Sequence, residues 1–70
     1  MSQKIIEVQP VRGGWKVFEM RGVEPVFPKR DQAIDYANTR QGFSLGEIRL
    51  LDAAGEVVET ISFDETQRKL

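Results

Sequence analysis

Apolar and polar residues alternate with period two over most of this chain. Ile6, Val8 and Pro10 fall on one side of a first strand, with Glu7 and Gln9 on the other. Arg12-Gly13-Gly14 is a hairpin turn signal, because glycine accepts the positive φ that tight turns need. Residues 15–20 then read as the return strand, Arg21-Gly22 as a second turn, and residues 24–27 as a short third strand. Pro25 and Pro28 bracket that strand and place it at a sheet edge, where a missing N–H does least harm. The period changes once. Over residues 29–41, Ala33, Ile34 and Ala37 form a narrow helical stripe with Tyr36 beside it. Asp31 near the start and Arg40 near the end suit the helix dipole, Gly42 is a stop signal, and neither Pro28 nor Lys29 caps the start well. Alternation resumes over residues 46–52, with Ile48 and Leu50 on one face and Glu47 and Arg49 on the other. After the turn Asp52-Ala53-Ala54-Gly55, Val57, Glu59, Ile61 and Phe63 face one way and Val58, Thr60 and Ser62 the other.

The pattern predicts an α+β domain: a small antiparallel sheet of four to five strands in β-β-β-α-β-β order, with one helix packed on one face. Residues 1–63 form this single domain, and 64–70, poor in apolar side chains, form a frayed tail. Seventy residues allow one small core, and without cysteine no disulfide reinforces it. Such a chain must be locally well encoded or gain stability by association. The longest run of strongly apolar residues is two, so no segment is of membrane-spanning length. The N-terminal residues lack the apolar stretch of a signal peptide, and a cytoplasmic setting is expected.

Gly13-Gly14-Trp15-Lys16-Val17, then Phe27 followed by Ala33-Ile34 and Ala37, then Leu51-Asp52-Ala53-Ala54-Gly55-Glu56-Val57-Val58, resemble a family of small bacterial proteins catalogued as domain of unknown function 2188. The likeness runs roughly from Ile5 to Phe63 and implies a ββαββ-type fold, a bacterial or phage origin and no assigned activity. From Gly14 to Ala37, the order of tryptophan strand, turn, short strand and helix is also similar to the arm-type DNA-binding domain of phage integrases, which lay a three-stranded sheet into the major groove.

Histidine and cysteine are both absent, which removes the common nucleophile–base pairs and proton shuttles. Ser2, Ser44 and Ser62 have no imidazole to activate them, and the six glycines are scattered at turns without phosphate-loop spacing. Asp31 and Asp35 share a helix face, but two carboxylates are too few for a dedicated cation site. No catalytic residue, metal site or cofactor is expected.

Net charge is −1, which disfavours a generic phosphate binder. The charge is uneven, however: residues 4–30 carry six basic and three acidic groups, and residues 31–70 carry four basic and eight acidic. Lys16, Arg21, Lys29 and Arg30 are therefore the candidate contacts of a DNA-binding alternative. The leading expectation is apolar. Trp15 and Val17 alternate with Phe18 and Met20, and a single narrow helix can cover only one of these pairs. Phe18, Met20 and Ile5 are the candidate protein interface, with a second copy of the chain as the simplest partner.

Overall fold

The computed structural model describes residues 4–42 and 45–63; the expected tail 64–70, and Ser2 and Ser44, lie outside the described residues. The elements follow in the order β1 (Lys4–Val11), β2 (Gly14–Phe18), β3 (Val26–Phe27), α1 (Arg30–Gln41), β4 (Gly46–Leu51) and β5 (Val57–Phe63). They form one five-stranded sheet in spatial order β3-β2-β1-β4-β5, with α1 against one face.

The sheet is mixed rather than antiparallel throughout, and this corrects the expected pairing. β1 pairs β2 antiparallel, β2 pairs β3 antiparallel and β4 pairs β5 antiparallel, but β1 and β4 are parallel neighbours, with Ile6 beside Ile48 and Val8 beside Leu50. The cause is the helix. Three strands alternate in direction, α1 carries the chain back along the sheet, and β4 therefore runs the same way as β1. Several boundaries also move. β2 ends at Phe18 instead of Met20, and β3 shrinks to two residues. Helix α1 starts one residue later, with Lys29 as an N-cap that makes no side-chain cap bond. Gly14 belongs to β2 rather than to the turn, opposite Val11.

Two glycines are dictated by close approach of backbones. A Cβ on Gly46 would overlap the Lys4 carbonyl oxygen and lie 2.7 Å from its carbon; on Gly14 it would overlap the Phe27 carbonyl, 2.9 Å from that carbon. These positions let β4 lie against β1, and β3 against β2. At the other hairpin, Asp52 Oδ1 accepts the backbone N–H groups of Ala54 and Glu56, each at 2.9 Å, and closes the turn with its own side chain.

The core is a single layer between sheet and helix. Ile6, Val8, Val17, Ile48 and Leu50 from three adjacent strands meet Ala33 and Ala37 of α1, all buried, with Trp15, Phe27, Ile34, Tyr36 and Ile61 packed around them. Alanine at both contact points lets the helix sit close, and the Phe27 and Tyr36 rings meet at 5.2 Å, tilted by 43°. Trp15 and Val17 are thus the pair under the helix, and Phe18 turns to the opposite side.

Candidate functional site: the open face of the sheet

Strand register builds the uncovered face row by row. Glu7 is opposite Phe18 on one side and beside Arg49 on the other, and Arg49 is opposite Thr60. Above this row, Gln9 faces Lys16, which faces Val26; below it, Ile5 lies beside Glu47, which faces Ser62. Ile5 and Phe18 are diagonal neighbours, two residues apart along β1 from Glu7, and remain 37% and 36% exposed. Met20 lies past the end of β2, bridged to Val23 in the turn to β3, and is 52% exposed. The three candidate interface residues therefore gather toward one end of the open face, interrupted by charge. Lys16 Nζ is 3.4 Å from Glu24, and Arg49 pairs with Glu47. Glu7, Gln9, Lys16, Phe18 and Glu24 line a shallow groove of about 200 Å³ across β1 and β2. The Glu7 carboxylate makes no hydrogen bond or ion pair with any described residue.

The four candidate nucleic-acid contacts do not come together. Lys16 is on the open face, engaged by Glu24, whereas Arg30 reaches from the start of α1 to Glu59, 3.7 Å away. Arg21 is in the turn beyond the Phe18 end of β2, and Lys29 lies beyond the other end, after the Trp15–Phe27 pair. Asp31 and Asp35 are exposed on α1, and among the described residues no three metal-ligating side chains converge.

One polar cluster was not foreseen in the sequence. Glu19 has a side chain only 2% exposed, because Arg40 and Lys4 cover it. Arg40 donates to it through Nε at 2.7 Å and Nη2 at 3.2 Å, and Lys4 Nζ stands 3.1 Å away. Lys4 Nζ also donates to the Arg40 carbonyl oxygen at 2.6 Å, and Gln41, fully buried, donates to the Lys4 carbonyl at 3.4 Å. The cluster ties the end of α1 to β1 and to the end of β2. Alternation carried one clue: Glu19 falls in phase with Trp15 and Val17, and an acid on the covered side requires cations. Which cations supply that need is set by residues fifteen and twenty-one positions away.

The Arg40 hydrogen bonds, with Lys4 beside them, hold the Glu19 carboxyl below the usual carboxylate range despite the opposing effect of burial. A carboxyl whose pKa is lower folded than unfolded adds stability above the unfolded pKa, and that stability is lost as pH falls through the folded one. Glu19→Gln is therefore expected to lower the melting temperature by about 5 °C at neutral pH. The deficit should shrink as acid protonates the wild-type carboxyl, so that melting curves of the two proteins converge below the lowered pKa. A deficit independent of pH would show that the charge on Glu19 contributes nothing.

Among the described residues, no helix is long and apolar enough to cross a membrane. Comparison with known proteins found no matching family model, no matching curated protein and no matching solved structure.

Proposed function

We propose that this chain is a non-enzymatic binding module that docks a protein partner on the open face of its sheet. The observation that carries the reading is the placement of Phe18 and Ile5 on that face beside a groove. The helix leaves them uncovered while Val17 is buried and Trp15 partly buried on the other side. A flat sheet surface with an aromatic anchor, flanking aliphatics and a rim of charged side chains has the make-up of a non-obligate protein interface. The lack of histidine and cysteine supports a role without catalysis.

The DNA-binding alternative finds less support. Glu7, Glu24 and Glu47 outnumber Lys16 and Arg49 on the open face, and a sheet entering a major groove needs the opposite balance. The direct test uses Phe18→Asp. This variant is expected to keep the fold, because Phe18 lies outside the core, and to lose at least tenfold in affinity for the partner recovered with the wild-type chain. Unchanged retention of that partner by a folded Phe18→Asp protein would remove the open face from the binding reaction. Salt-dependent binding of a random DNA duplex would instead restore the alternative.

A further inference from the structure

The two edges of this sheet differ in a way that packing alone does not require. β3 is two residues long, flanked by Pro25 and Pro28, and offers little backbone to a passing strand. β5 is seven residues long and, among the described residues, unpaired on its outer side. Its sequence, Val57-Val58-Glu59-Thr60-Ile61-Ser62-Phe63, has no proline, glycine or lysine, and four of its residues are β-branched. Its single charge, Glu59, is engaged by Arg30. Val57 and Val58 are 48% and 64% exposed. Lysine, proline and short length are among the devices that protect edge strands, and β5 carries none of these three; its protection is limited to the bulge at Val58 and the charge of Glu59.

We infer that β5 is a self-association edge: two copies of this chain pair their β5 strands antiparallel about a two-fold axis and join their sheets into one of ten strands. The register follows from the strand itself. β5 is regular from Glu59 to Phe63 and bulged at Val58, which falls between the partners of Leu50 and Leu51; an axis at Thr60 sets Glu59 opposite Ile61 of the second copy. Moving the axis to Glu59 sets the only charge against its own copy. Centring on Thr60 places two threonines face to face, a favourable cross-strand pair. The open face is the poorer surface for self-pairing, because a two-fold there would bury Glu7, Lys16, Glu24, Glu47 and Arg49. Pairing through the edge instead leaves both open faces on one side of a continuous sheet. The contact is small, so the dimer belongs to the weak class whose population depends on concentration.

Two measurements test the pairing. Light scattering should show a mass rising from 8.0 kDa toward twice that value as concentration increases to about 1 mM, the range of weak association. Thr60→Glu, which sets two carboxylates opposite each other across the axis while giving Arg49 a second carboxylate beside Glu47 within its own sheet, should hold the mass at that of one chain. Phe18→Asp should leave the wild-type concentration dependence unchanged. A mass fixed at 8.0 kDa at every concentration, or a dimer abolished by Phe18→Asp and untouched by Thr60→Glu, overturns the inference. The second measurement needs no variant. Every second amide of a regular edge strand points to solvent, so hydrogen exchange along Glu59–Phe63 of wild-type β5 should show protection at alternate residues when dilute and at successive residues when concentrated. An alternating pattern at all concentrations also overturns it. Failure of Thr60→Glu to change the mass bears on the edge alone, and failure of Phe18→Asp to weaken partner binding bears on the open face alone.

Discussion

Gly46→Ala is expected to yield a chain that no longer folds, seen as collapsed amide dispersion in NMR spectra and loss of the cooperative thermal transition. The argument is geometric. The added methyl would occupy the position of the Lys4 carbonyl, and its neighbours there are backbone atoms, which cannot rotate aside as a side chain can. β4 can accept the methyl only by leaving β1, and the β1–β4 pair is the parallel seam that joins the two halves of the sheet. Ile6, Val8, Ile48 and Leu50, four of the seven buried hydrophobic residues among those described, come from those two strands. A comparison separates this effect from the general cost of replacing glycine. Gly13 has φ +90° but open space where its Cβ would stand. Gly13→Ala should therefore cost about 1–2 kcal/mol, the strain of a left-handed backbone, and leave a folded protein. If Gly46→Ala melts cooperatively within a few degrees of Gly13→Ala, the tight β1–β4 approach is not part of the native state.

Truncation of Ile48 is expected to have the next largest effect. This side chain is fully buried, lies beside Ile6 in β1 and opposite Ile61 in β5, and faces α1. Ile48→Ala should destabilise by about 2–5 kcal/mol through lost burial and the cavity left behind. A domain of this length has about 4–10 kcal/mol in total, so the variant stands at or beyond the limit of folding. Ile48→Val, which removes one methylene, should cost about 0.5–1.5 kcal/mol. Urea titrations of the two variants and the wild type read these differences directly as shifts in midpoint at constant slope. An Ile48→Ala loss below about 1 kcal/mol would mean that the site collapses freely, contrary to the close packing that two alanines permit.

The local elements were legible because they rest on local physics. Alternation placed Ile6, Val8, Ile48 and Leu50 on one face, and all four are buried. The prolines assigned β3 to an edge, the small-residue stripe marked α1, and Gly42 ends it with its N–H on the Asn38 carbonyl at 3.1 Å. Alternation also separated Phe18 and Met20 from Trp15 and Val17. It could not say which pair the helix would cover, because both contain an aromatic ring.

Tertiary structure decided what depends on residues far apart in the chain. The parallel β1–β4 pair arises from where the helix returns the chain, and no local pattern encodes a neighbour some forty positions away. The same return makes glycine mandatory at position 46, which by sequence alone is simply the start of a strand. Glu19 acquires its cations from β1 and the end of α1, although its alternation phase already marked it as facing inward. The basic residues were close in sequence yet end on separate faces and ends of the sheet, since a strand, two turns and a helix start point them apart. The sequence by itself thus determined which side chains share a face of each strand and of the helix, through periodicities of two and 3.6. The fold alone decided the strand order, the uncovered face and the exposed edge, because those follow from how separate segments pack together.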